Sequence, residues 1–222
     1  MSNTQQPMVN VWDLPVRVVH WAMVVTFVVL MVSVNTGLLR LHFYAGYTLT
    51  ALLVFRLLWA LVGTTYARFS GFNFSLRGLH VQCRAMIKRE PLPYLGHNPA
   101  GSIMVVLLWT VLLAQGLSGL LYSDDVFWFG PLSMNAPDWA LNVASTLHPR
   151  LPPLIMLLIV THIAAVLYHQ FALREPIVKA MVRGQKPGTD KSLARSQVSV
   201  LWLLFSVIPA IGWWLWLFAL PI

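Results

Sequence analysis

Charge and cysteine are what this sequence has least of. Charged residues make up 10% of its 222 positions, against about 25% in an ordinary soluble domain. Too few charges remain to cover a water-exposed surface. With 58% hydrophobic residues, the composition is that of an integral membrane protein. The single cysteine, Cys83, excludes an internal disulfide, a Cys-rich zinc cluster and the C-x-x-C-H attachment of a c-type haem. Any haem is therefore held non-covalently, as b-type. No period of 20–50 residues and no low-complexity tract is present. No segment has the form of a cleavable signal peptide: the first apolar run is too long for an h-region and has one basic residue before it, Arg17. It reads as a retained membrane helix.

What is present is a series of five apolar spans, each near the roughly 20 residues that cross a hydrocarbon core. They run roughly 16–38, 41–63, 100–123, 147–171 and 198–220. Met1 to Pro15 is a polar lead in which Trp12 suits an interfacial anchor and Pro15 a helix start. Asn35-Thr36-Gly37 reads as a tight turn. Residues 64–99 and 173–197 read as loops, and the aromatic-rich fifth helix as kinked at Pro209. In the loop 124–146, Phe127, Trp128, Phe129 and Trp139 suit the membrane interface.

The net charge of +8 would suggest nucleic acid, but its placement excludes that reading. Eleven of the fifteen basic residues lie in the loops 64–99 and 173–197, which must share one side. The loop 124–146 holds Asp124, Asp125 and Asp138 and no Lys or Arg. The positive-inside rule then puts the N-terminus and both basic loops in the cytoplasm, and the acidic loop and C-terminus outside. In a Gram-negative bacterium that outside is the periplasm and the membrane is the inner one.

The stretch LHPRLPPLIMLLIVTHIAAVLYHQF, Leu147 to Phe171, carries His148, His162 and His169. Ionisable residues in a span are costly and point to function. His148 and His162 are fourteen residues apart. On a helix this is roughly 21 Å of rise, with both rings leaving nearly the same face. Two imidazoles placed so suit one ligand for each of two stacked haems. By depth, His42 meets His148 at an outer haem and His20 meets His162 at an inner one. A metal ion without porphyrin would need further Cys, Asp or Glu ligands, which the spans do not supply. His169 lies about 10 Å beyond His162 and reads as a snorkelling interfacial residue, with an alternative inner ligand or a group beside a quinone as the other readings.

Arg56 lies fourteen residues after His42, on the same face but at inner depth. A buried arginine needs an anion, here a propionate of the inner haem, with Asp13 as the protein alternative. Arg17 and Arg40 could serve an inner and an outer propionate in the same way. Gly46, Gly116 and Gly119 are small enough to admit a porphyrin, or simply to allow close helix packing. Pro149, Pro152 and Pro153 threaten to distort the first turn of the fourth helix.

RVVHW (Arg17 to Trp21), His42-x-x-x-Gly46, FRLLWALVG (Phe55 to Gly63), YLGHNPAG (Tyr94 to Gly101) and the His148/His162 pair together resemble one family. It is the bacterial cytochrome b561 / Ni,Fe-hydrogenase-type cytochrome b family, and the match covers roughly Val11 to Gly184. The resemblance implies an all-α integral membrane fold, an up-and-down four-helix haem-binding bundle in residues 1–184. Residues 185–222 add a basic linker and a fifth C-terminal transmembrane helix. It implies two b haems, with ligand roles for His20, His42, His148 and His162. It also implies electron exchange with quinone near the cytoplasmic haem, at a pocket lined here by His97, Asn98 and Gly101. Asn98-Pro99 equally makes a good helix start. The prolines after His148 and the fifth helix depart from the family pattern.

The expected function is a transmembrane electron conduit between quinone and a periplasmic redox partner, such as a c-type cytochrome steered by the acidic loop. Alternatives are a membrane-anchor subunit of a hydrogenase or dehydrogenase, and a superoxide:quinone oxidoreductase. A haem-free transporter or structural protein is the remaining alternative.

Overall fold

The computed structural model describes residues 7–90, 92, 94–124, 126, 128–188 and 197–221. A short strand β1 (Met8–Asn10) leads into helices α1 (Leu14–Asn35), α2 (Leu39–Val62), α3 (Leu76–Lys88), α4 (Pro99–Leu121), α5 (Asp138–Leu167) and α6 (Ile177–Arg183). Strand β2 (Gln185–Pro187) and helix α7 (Val200–Ala219) follow. Helices α1, α2, α4, α5 and α7 are long and apolar enough to cross a membrane. One two-stranded ribbon aside, the described fold is all-α: four up-and-down helices and a fifth at the C-terminal end.

Local chemistry sets the ends of the spans. Asp13 caps α1 by accepting from Val16 N at 2.8 Å, and Asn98 caps α4 by accepting from Gly101 N at 2.7 Å. A proline follows each cap in the first turn, where its missing N–H costs nothing. Between α1 and α2 the chain reverses through Gly37, at φ +72°, in the turn expected there.

Packing follows the rule for proteins in lipid, with apolar side chains outward and small or polar ones between helices. Val25 and Ile208 are 63% and 64% exposed, while Ser33, Ser102 and Ser206 are fully buried. Helix α2 is the centre. It packs along α1 on one side and α7 on another, and α4 packs along α5. The two pairs meet more briefly, between α2 and α4. The fifth helix is fastened to the bundle: Trp213 Nε1 donates to Thr50 Oγ1 at 3.0 Å and Trp214 Nε1 to Thr48 Oγ1 at 3.1 Å. Helix α7 runs through Pro209 without a break.

Several expectations change. The fourth membrane helix begins at Asp138, not Leu147, so His148 lies well inside it. Pro149, Pro152 and Pro153 all fall within the helix, which is unbroken to Leu167. The fourteen-residue register from His148 to His162 therefore holds. The helix then continues as a π-helical turn, Tyr168–Ala172. The segment 64–99 is not a plain loop, since it holds the amphipathic helix α3, capped by Ser75 accepting from Gly78 N at 3.0 Å. At 13 residues α3 is too short to span. It crosses the start of α4, where Gln82 Oε1 accepts from Ala100 N at 3.1 Å.

The described part of the polar lead, from Pro7 onward, is structured too. β1 pairs antiparallel with β2, Val9 opposite Lys186, so the ribbon joins residues on either side of position 184. Val11 N and Trp12 N both donate to Gly184 O. Gly184 sits at φ +87°, and a Cβ there would lie 2.6 Å from Trp12 O, so glycine is required. Trp12 is not an interfacial anchor: it is 7% exposed and packs on His97. Trp128 likewise turns inward onto Phe43, while Trp139 and Phe129 are exposed as expected. Phe127, Asp125, Asp190, Lys191 and Arg195 lie outside the described residues.

Candidate functional site

His42 projects from the first turn of α2 and His148 from α5, and their rings face each other with centroids 6.4 Å apart and planes at 83°. Each ring is held the same way by a neighbouring helix. His42 Nδ1 lies 3.2 Å from Leu30 O and 3.4 Å from Ser33 Oγ on α1. His148 Nδ1 lies 3.1 Å from Gln115 O and 3.4 Å from Ser118 Oγ on α4. In both cradles the serine stands three residues after the carbonyl and donates back to it at 3.0 Å. A backbone carbonyl only accepts, so each Nδ1 carries the proton. Each Nε2 then keeps its lone pair, the state in which imidazole binds a metal.

The pair opens on a cavity of about 460 Å³, lined mostly by apolar side chains of α1, α2, α4 and α5. That is within the range of about 300–1,000 Å³ typical of cofactor pockets. The three glycines of this region differ in use. A Cβ on Gly46 would meet nothing within 4 Å, so it faces open space. On Gly116 it would come 2.5 Å from Thr50 Cγ2, a close helix contact. On Gly119 it would come 2.7 Å from His148 Cε1, so Gly119 makes room for the ring.

This geometry suits a metal-centred planar group. A first-row metal sits about 2.0–2.1 Å from an imidazole nitrogen, so two imidazoles on opposite sides of one ion have centroids roughly 6 Å apart. Among the described residues no three His, Cys, Asp or Glu side chains converge as they would around a bare ion. Two imidazoles at this separation beside an apolar cavity fit an iron whose remaining ligands come from a macrocycle.

At the other end of the bundle, His20 on α1 has His162 of α5 and Arg56 of α2 nearby. His20 Nδ1 is buried without a hydrogen-bond partner, and the ring meets Trp21 edge-on at 5.2 Å. Arg56 is 5% exposed. Its guanidinium lies 4.5 Å over the Trp109 ring, a cation–π contact, and its Nη1 donates to Ala67 O at 3.2 Å. Among the described residues Asp13 makes no direct ion pair with it, though its carboxylate is near enough to act on the guanidinium as a charge. Besides capping α1, that carboxylate accepts from Trp59 Nε1 at 2.9 Å and Thr64 Oγ1 at 2.7 Å. Arg17 donates to Val182 O at 2.6 Å, fastening α1 to α6, and Arg40 is exposed at the opposite end.

Near His20, His97 is wedged between Trp12 and Phe72, at 4.7 and 4.8 Å, with its Nδ1 buried and unpartnered. Burial, with Arg56, Lys186 and His162 nearby, pushes its pKa down to about 3, so it is neutral. Burial also lowers the pKa of Lys186, against the opposing pull of Glu175; its Nζ donates to Tyr94 O at 3.4 Å. His169 is not a snorkelling surface residue. It is 7% exposed and its Nδ1 pairs with Glu175 Oε2 at 3.0 Å, because the π-helical turn swings it inward.

The backbone carbonyls of the cradles carry no sequence identity, and Ser33 and Ser118 give only a height match to the histidines. These holding groups were not readable from the chain alone.

The model of one family, prokaryotic cytochrome b561, matches residues 11–184. The chain belongs to the prokaryotic cytochrome b561 family. It is thus a multi-pass bacterial membrane protein that binds b-type haem and works in electron transfer. Curated relatives are named probable Ni/Fe-hydrogenase B-type cytochrome subunits. One, from Bradyrhizobium diazoefficiens, is 27% identical over 83% of this chain and 88% of its own length. That of Rhizobium leguminosarum bv. viciae is 27% identical over 82% and 90%. That of Azotobacter vinelandii is 24% identical over 84% and 91%. No solved structure matches the chain.

Proposed function

We propose that the chain is a di-haem cytochrome conducting electrons across the cytoplasmic membrane between quinone and a redox partner at the end of the bundle bearing residues 122–137. The observation that carries this reading is the His42/His148 pair, two rings 6.4 Å apart that both line one cavity and are each held through Nδ1 by a backbone carbonyl. His162, near His20, follows on the same unbroken helix. His42 and His148 would hold an outer haem, and His20 and His162 an inner one. Bis-histidine iron has no open position, so the group supplies electron transfer and not oxygen chemistry.

The chain's own part is to orient and to exclude water. The carbonyls of Leu30 and Gln115 fix the two outer rings. Arg56 places a buried positive charge beside the inner histidines, and with Arg17 and Arg40 makes up the cations available to propionate carboxylates. Quinone would enter beside His97 and the start of α4. There Asn98 already spends its oxygen on the helix cap, leaving its amide N–H groups and His97 to contact a carbonyl. Residues 1–184 form the redox unit, and residues 185–222 the linker and the supporting helix α7. The N-terminus and basic loops face the cytoplasm and the end of α7 the periplasm, by the positive-inside rule.

For the partner, the names of the relatives favour a hydrogenase-type enzyme subunit. A c-type cytochrome is the second reading, favoured by the acidic loop. Of that loop's acids, however, Asp124 accepts from Val126 N and Trp128 N, and Asp138 lies in the first turn of α5 where a carboxylate suits the helix end. Both have local uses. The test of conduction is anaerobic mixing of the purified chain with a soluble quinol analogue. Reduction of the b bands that slows in His20→Ala supports the reading. Bands reduced by dithionite but untouched by quinol would refute the quinone link.

A further inference from the structure

His148 is gripped twice from α4, and His42 once from α1. The second grip begins with a missing donor. In an α-helix the N–H of residue i+4 bonds the carbonyl of residue i. For His148 that residue is Pro152, which has no N–H. The freed carbonyl is met from the neighbouring helix, where Gln115 Nε2 donates to His148 O at 3.1 Å. The carbonyl can only accept, which fixes which end of the amide faces it. Gln115 O in turn takes the proton of His148 Nδ1 at 3.1 Å. One residue of α4 thus holds both the main chain and the side chain of His148. His42 has Gly46 at the equivalent position, with its N–H intact.

We propose that Gln115 and Pro152 form one positioning device for His148. Pro152 removes the helical donor, Gln115 replaces it from α4, and the exchange locks the backbone beneath the imidazole so that the ring keeps its place opposite His42. This rests on the reading above that His148 holds a haem. It accounts for a proline four residues after a half-buried histidine, which in a helix interior otherwise only destabilises. It also accounts for the amide in an apolar cavity wall: Gln115 Oε1 is buried without a partner, so the side chain stays for its donor end.

The test compares the full-length purified protein with Q115M, Q115M/P152A and H148A. Haem per chain is measured by pyridine haemochrome, and the outer site by its ferric low-spin resonance. Methionine keeps the volume of Gln115 and removes the amide. Loss of a group that orients a metal ligand weakens metal binding roughly 10- to 100-fold, so Q115M should fall toward the haem content of H148A. An alanine at 152 restores the helical N–H, so Q115M/P152A should regain the second haem and its signal. A side chain that served only to pack α4 against α5 would not be rescued in this way. The device is overturned if Q115M matches the wild type in haem content and resonance, or if the double variant is as deficient as Q115M. Should Q115M fail to accumulate, the double variant decides alone: recovery supports the device and failure overturns it. If H148A holds as much haem as the wild type, the ligand assignment itself fails and the device with it.

Discussion

The two histidine pairs use the same residue type and share α5, yet the fold treats them differently. Around His42 and His148 it supplies orientation: two carbonyls, two serines and a glycine shaped to a ring. Around His20 and His162 it supplies charge, with Arg56 at 5% exposure beside an imidazole whose Nδ1 has no partner. Orientation costs little in lipid when carbonyls lie at hand, as they do where helices cross. A buried guanidinium is expensive; Asp13 supplies one nearby negative charge, and on the proposed reading a haem propionate would supply another. One end of the bundle is built for a ligand direction, the other for an electrostatic environment.

The sharpest way to break this comparison is to remove one ligand at a time. His148→Ala or His42→Ala should cost one haem per chain and spare the other. His20→Ala should remove the complementary one, so that the reduced-minus-oxidised spectra of the two classes sum to that of the wild type. If all three variants lose both haems together, the ends are not independent. Next in size is Gly119→Ala. Its Cβ would crowd His148 Cε1 at 2.7 Å, an overpacking of about 1–3 kcal/mol. The haem at His148 should be lost or altered in its optical band while the one at His162 persists.

Arg56→Met tests the charged end. Removing a buried positive charge near an iron favours the oxidised form, so the inner midpoint potential should drop on the order of 50–100 mV. The potential at His148 should stay put in the same redox titration. The smallest effect concerns His97. Its pKa in the fold is about 3, below the unfolded value of 6.5. The unfolded chain therefore binds the extra proton first, and stability is full above pH 6.5 and falls as pH drops toward 3. At pH 5 the loss is at most about 2 kcal/mol. His97→Gln should flatten thermal stability between pH 7 and pH 5, and an unchanged slope would remove His97 from the account.

Much of this was legible in the chain. Apolar spans of 20 residues report themselves, and four histidines at matching depths report a pairing, because lipid tolerates so few ionisable groups. What stayed hidden has physical reasons. Helix α3 is amphipathic and lies in a basic segment, so charge masked its period. The early start of α5 was hidden because residues 138–146 mix polar and apolar side chains and precede three prolines, which read as a helix beginning. Pro152 is tolerated mid-helix because Gln115 of another helix serves the carbonyl it frees, that of His148, and such service depends on tertiary contact. His169 looked superficial by depth alone, and only the π-helical turn brings it to Glu175. Arg56 is buried as read, and Asp13 acts on it as a nearby charge while its hydrogen bonds go to Trp59 and Thr64.

The central claim is that this fold carries two bis-histidine haem sites, one at each end. The most direct test is the number of b haems per folded chain, from a pyridine haemochrome assay against protein mass on detergent-purified protein. Two haems per chain, with sharp low-spin bands in the reduced-minus-oxidised spectrum, is the result the account predicts. One haem per chain, or high-spin bands, in a preparation shown to be folded would contradict it.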